Sequence, residues 1–176
     1  MKRTAFVIVA LLAVVGLAAY QATAAEHTDG LAAPVFGIKS FPGYRDWKLI
    51  SVAHEEGNLN DIRAILGNDG AIKAYREGKS SFPDGAVIAR LAWNYVPSPE
   101  NNKVFGRDQS FVPGTAPEWY LQFMVKDSKK YTSTGGRGYA QFDKEGDPAP
   151  VAKHEACFGC NVPAKEHDYI FTRYAP

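Results

Sequence analysis

Only two of the 176 residues are cysteine, so a disulfide-stapled scaffold is excluded and the fold must rest on an ordinary apolar core. Neither charge predominates: 20 Lys and Arg stand against 19 Asp and Glu. That balance leaves no basic footprint for nucleic acid or an anionic membrane surface. Internal repeats and low-complexity tracts are absent. Long apolar runs are scarce too. The one example, "AFVIVALLAVVGLAA" at residues 5–19, falls short of the roughly 20 residues a membrane span needs.

What surrounds that run gives it a meaning. Lys2 and Arg3 precede it, and the small residues "ATAA" (Ala22 to Ala25) follow it. A basic start, an apolar middle and a small-residue cleavage site predict a signal peptide over residues 1–25, with a retained N-terminal anchor as the alternative. The mature chain is then a single domain over residues 26–176, with no membrane segment of its own. Its formal charge moves from +1 to −1, because Lys2 and Arg3 leave with the signal and no acidic residue does. Export to the periplasm or beyond makes the two thiols informative: there they are expected to pair, bind a metal or carry a cofactor.

Periodicity predicts an α+β fold, mainly an antiparallel sheet. Residues 26–43 read as an extended leader lying over the domain. "RDWKLISVAHEE" alternates as a first strand, with Trp47, Leu49 and Ser51 on one face and Lys48, Ile50 and Val52 on the other. "LNDIRAILGN" reads as a second strand. Asn68 or Asp69 then caps a short amphipathic helix that stops at Gly78. "GAVIARLAWNYV" is a central strand with Arg90 on the face opposite Trp93. Residues 97–117 are rich in turn formers and read as the longest loop. "EWYLQFMVKD", "GYAQFD" and the C-terminal "HDYIFTRYAP" have strand composition, and a second helix, near the C-terminus, carries the cysteines.

Those cysteines stand in "EACFGCNVPAK". Cys157 and Cys160 have the spacing of a c-type haem attachment site, in which both thiols form thioethers and a following histidine reaches the iron. Here Asn161 stands where that histidine belongs, and an amide oxygen is a weak donor to haem iron. Three other readings compete. His154, Cys157, Cys160 and His167 have ligand number and softness for zinc, with His154 a weak candidate; the plainer reading puts His154 at a solvated helix start and His167 in the turn before the last strand. A redox dithiol requires a helix N-terminus after a parallel strand, and that context is wrong. A local disulfide closes a loop too short to stabilise the fold much.

The wording of the whole chain narrows the choice. "KHEACFGCNVPAKEHDYIFTRYAP" (Lys153 to Pro176), together with "ILGNDGAIKAYREGK", "PDGAVIARLAW" and "EWYLQFMVKD" in that order, resembles the cytochrome P-460 family from about Phe41 onward. The resemblance implies a periplasmic, homodimeric, mainly antiparallel domain holding one haem c through Cys157 and Cys160. It implies a nitric oxide-like or hydroxylamine ligand and an electron-transfer partner, and it leaves open a hydroxylamine-oxidising activity. The chain departs from the family twice. Asn161 occupies the position of the proximal histidine, and Arg90 falls at the position of the lysine that cross-links to the porphyrin. A guanidinium stays protonated and is a poor nucleophile, so Arg90 is either a distal-pocket residue or the partner of a carboxylate across the sheet. Trp93, Trp119, Tyr120, Phe123, Tyr139, Phe142 and Phe158 either wall a haem pocket or fill the core of the sheet. A haem-free protein with a Cys157–Cys160 disulfide is the alternative to a loaded cytochrome.

Overall fold

The alternation in the sequence becomes six antiparallel strands. In the computed structural model, which describes residues 36–175, β1 (Lys48–Glu55), β2 (Asp61–Gly67), β3 (Val87–Pro97), β5 (Leu121–Lys126) and β6 (Arg137–Phe142) lie side by side in the order β1-β2-β3-β5-β6. A three-residue β4 (Phe111–Pro113) pairs with the end of β3. The segment predicted as a signal peptide and the start of the predicted leader lie outside the described residues. Among the described residues no helix is long and apolar enough to cross a membrane.

Strand β3 is apolar on both faces because both are covered. Val87, Ala89 and Leu91 point into a core shared with Leu121, Phe123 and Phe142. The leader closes this side through Phe36 and Phe41, and the chain just after it adds to the cover: Phe41, Tyr44 and Trp47, which precedes β1 and does not belong to it, set their rings 5.0, 5.5 and 6.2 Å from that of Phe123. Offset and edge-on contacts of this kind add to the area that aromatics bury. Trp93, Tyr120 and Phe142 belong here, in the core and not in a pocket.

The other face is covered at one end by α1 (Asp69–Arg76), which buries Ala71 and Ile72 beside Ile65 and Ile88. Asn68 is its N-cap. Its Oδ1 accepts from the amides of Ala71 and Val87 at 3.0 Å each, and its Nδ2 donates to the Gly85 carbonyl at 2.8 Å. One side chain thus caps the helix and joins it to β3, so Asn68→Ala is expected to cost about 1–2 kcal/mol in chemical denaturation. Gly78, at φ 62, ends the helix in the left-handed region as predicted.

The sheet departs from the expected alternation in β1. The register slips between Leu49 and Ser51, so Ile50 is taken up by the core while Ser51, Ala53 and Glu55 come onto the face below it. A bulge of this kind inserts one unpaired residue and turns the following side chains over. The expected grouping of Ser51 with Leu49 is therefore corrected.

Two further expectations change. Residues 97–117 are not one long loop: they hold α2 (Pro99–Phe105), capped by Ser98, as well as β4. The C-terminal residues 168–175 are not a strand. They run as irregular chain, and of their backbone amides only Ala175 reaches a strand, donating to the Ile50 carbonyl at 2.9 Å. The cysteine helix α3 (Val151–Asn161) lies against β6 and continues into a 3-10 turn at Val162–His167.

Candidate functional site

Strand register lays two rungs across the face that α3 covers. Ile88, Met124 and Tyr139 are directly opposite one another on β3, β5 and β6, and so are Arg90, Gln122 and Gln141. The floor they make is apolar along one rung and polar along the next. Above it, α3 forms one wall and residues 170–173 another, enclosing a cleft of about 730 Å3, within the usual range for small-molecule and cofactor sites.

Cys157, Cys160 and Asn161 all line this cleft. The three-residue spacing on an α-helix puts the two thiols on one face, one above the other. Both are free; Cys157 is half-buried and Cys160 exposed. Burial raises the Cys157 thiol above its ordinary pKa, only partly offset by the Gln141 amide that donates to its sulfur at 3.0 Å. The protonated thiol donates in turn to the Lys153 carbonyl at 3.3 Å. Asn161 turns its amide back along the helix and donates to the Cys157 carbonyl at 2.8 Å.

Arg90 also lines the cleft, and it has the carboxylate partner weighed for it. Asp61, only 3% exposed, accepts from Arg90 through one oxygen and from Arg63 through the other, the Arg63 Nε at 2.8 Å. Arg63 reaches on to Glu55 at 2.6 Å. Two cations and two carboxylates close one end of the cleft as a neutral network. Burial, with Arg63 alongside, lowers the Arg90 pKa below its ordinary value while Asp61 opposes the shift.

His154 is not the residue the sequence suggested. It is fully buried, not at a solvated helix start, and its Nε2 accepts the backbone amide of Gln141 at 3.1 Å. Strand β6 is the last in the sheet, and an edge amide left unpaired in the interior is costly. The imidazole satisfies that amide and docks α3 on the strand. His167 lies in the 3-10 turn beside a separate pocket, and among the described residues no cluster of three His, Cys, Asp or Glu could hold a metal ion. The zinc reading is thereby set aside for the described residues. No imidazole lines the cleft among them.

Haem can therefore be tested against the site in two halves. The attachment half fits: two thiols on one helical face open onto a cleft with an apolar rung. Tyr139, 3% exposed, lines the cleft as well, with its hydroxyl enclosed by the fold. The axial half does not fit, because residue 161 offers an amide already bonded to its own helix. Sequence reasoning missed Gln141, which touches both Cys157 and His154, and Asp61. The signal for Gln141 was in "GYAQF", whose alternation puts it on the face of Tyr139.

No curated protein matches the chain. The family model described as Cytochrome P460 matches residues 41–172, from the segment that packs on Phe123 through the cysteine helix to the cleft's outer wall. The chain belongs to the cytochrome P460 family, whose members carry haem c.

Proposed function

We propose that this chain is an exported haem c protein that binds small nitrogen species such as nitric oxide or hydroxylamine, with Cys157 and Cys160 holding the haem. The observation that carries this reading is the opening of both thiols, on one face of α3, onto the 730 Å3 cleft. Haem bound there would supply an iron centre able to take up a diatomic ligand. The chain's own residues supply the rest. Ile88 and Met124 exclude water from the floor. The Arg90–Asp61–Arg63–Glu55 network closes one end at no net charge, and Gln141 fixes the Cys157 sulfur. Binding is favoured over oxidation of the cross-linked type, because the resemblance sets Arg90 where the family has a lysine nucleophile and Arg90 is held by Asp61. Periplasmic or secreted location, a homodimer and an electron-transfer partner complete the proposal.

That no imidazole lines the cleft among the described residues favours a second reading, in which the scaffold is haem-free and Cys157 and Cys160 form a disulfide. One preparation decides between them. The chain is exported in a host with c-type haem machinery, and its absorption spectrum, pyridine haemochrome and mass are measured. The haem reading expects a Soret band and a mass higher by one haem. Colourless protein, lighter by two hydrogens, beside a control cytochrome that loads, would overturn it.

A further inference from the structure

The cleft carries more positive charge than its ion pairs use. Glu55, Arg63, Arg90, Lys153 and Arg173 are the charged side chains that line it. Asp61, against Arg63 and Arg90, adds one more carboxylate. Arg63 and Arg90 are balanced by Asp61 and Glu55, which leaves Lys153 and Arg173 over. These two stand on different walls, Lys153 on α3 and Arg173 in residues 170–173, and both are exposed. Among the described residues neither side chain enters an ion pair.

A solitary solvated lysine would signify nothing. Two unpaired cations bordering one concavity differ, because its low-dielectric walls focus their field and raise the local concentration of an anion. The same cleft offers Ile88 and Met124 to an apolar body. Over the whole chain the signs nearly balance, 20 basic residues against 19 acidic, so the excess belongs to this site.

We propose that the cysteine cleft binds an amphipathic organic acid, with its apolar body on the Ile88–Met124 rung and its anionic end in the field of Lys153 and Arg173. Two sources share that chemistry: the carboxylates of a macrocycle attached through the thiols, and a free organic acid held without a covalent link. The proposal goes beyond the haem reading, because the charge and the apolar rung are there with or without attached haem.

The test uses the haem-free chain, exported in a host without c-type haem machinery, and two probe pairs of matched shape. 1-Naphthylacetate is compared with uncharged 1-naphthylacetamide, and protoporphyrin IX with its dimethyl ester. The expected result is a roughly tenfold tighter affinity for the acid in at least one pair, the size of two solvated charge pairings. That preference should shrink in roughly 0.5 M salt. Lys153→Gln with Arg173→Gln should bring it within about twofold. Arg173 also borders the smaller pocket beside His167 and Lys153 does not, so Lys153→Gln alone should give up about threefold. Lys129→Gln with Lys165→Gln removes the same charge from exposed positions outside the cleft and should leave the preference as it is. Discrimination confined to the porphyrin pair assigns the cations to a macrocycle, and discrimination in the naphthyl pair assigns them to a free acid. Equal affinity for acid and uncharged twin in both pairs overturns the proposal, as does a cleft that takes no probe. A preference that is indifferent to salt, survives in the Lys153 and Arg173 variant, or is lost equally in the Lys129 and Lys165 control overturns it too. Failure of the haem reading is scored separately, by the absence of covalent haem from chain exported with the machinery, and leaves these titrations intact.

Discussion

Replacing Asp168 with Asn is expected to destabilise the fold by about 3–5 kcal/mol, the usual cost of removing one partner from a buried ion pair. The carboxylate accepts from Lys126 Nζ and from Arg137 Nη2, each at 2.7 Å, and from the Phe82 amide at 2.9 Å. Arg137 is 0% exposed, and its Nε also donates to the Asp168 carbonyl at 3.0 Å. One anion thus serves two buried cations, and an amide in its place leaves both uncompensated. A domain of this size should melt about 8–15 °C lower, with the denaturant midpoint falling in step. Adding Arg137→Met to Asp168→Asn should recover part of the loss, because it removes one of the stranded charges. A loss under about 1 kcal/mol, the value typical of solvated pairs, would contradict this account.

The effect reaches the cleft because of where Asp168 sits. Asp168 and Tyr169 both have positive φ, 55° and 64°, a conformation that costs roughly 1–2 kcal/mol for each non-glycine residue. The ion cluster holds that turn. Tyr169 then lies over Gly135, where any Cβ would come within 2.1 Å of its ring, and against Phe158 of α3 at 5.4 Å. Residues 170–173, the outer wall of the cleft, follow directly. Loss of the Asp168 charge should therefore loosen both the wall and the cysteine helix.

How much of this could be read from the sequence depended on the range of the interaction. Asn68 and Gly78 bracket α1 through local chemistry, and both were legible. So was the separation of Arg90 from Trp93, because two-residue alternation survives on a strand with neighbours on both sides. Ser98-Pro99 was a legible helix start that the turn-rich composition of residues 97–117 concealed. The strand composition of the C-terminal residues misled for a different reason: Pro148, Ala149 and His154 meet β6 on its outer side, and at the other edge of the sheet only Ala175 reaches β1. His154 and the Lys126–Arg137–Asp168 cluster had no local signature at all. Each joins segments at least 13 residues apart, and a lone histidine before a cysteine pair looks the same whether it binds a metal or a backbone amide. The resemblance located the cysteine helix and the family; it could not say that the imidazole of His154 serves the Gln141 amide and does not line the cleft.

Asn161→His is the substitution with the largest expected effect on function. Residue 161 ends α3, lines the cleft, and stands one helical turn beyond Cys157, so a side chain there shares the face of both thiols. An imidazole at this point gives up the bond from Asn161 to the Cys157 carbonyl, worth about 1 kcal/mol, and completes Cys-x-x-Cys-His. In a host with c-type haem machinery, covalent haem should rise to nearly one per chain, with the spectrum of an ordinary five-coordinate haem, while apo-protein stability falls by no more than about 1 kcal/mol. Haem content measured by pyridine haemochrome on both proteins gives three separable results. A rise in the variant alone means that the scaffold is intact and that the chain's own residue 161 is what limits loading. Full loading of both means that the two thiols suffice for attachment, and the substitution should then change only the spectrum. If neither loads beside a working control, the cleft is not a haem site even with its ligand restored, and Cys157 and Cys160 serve the haem-free protein.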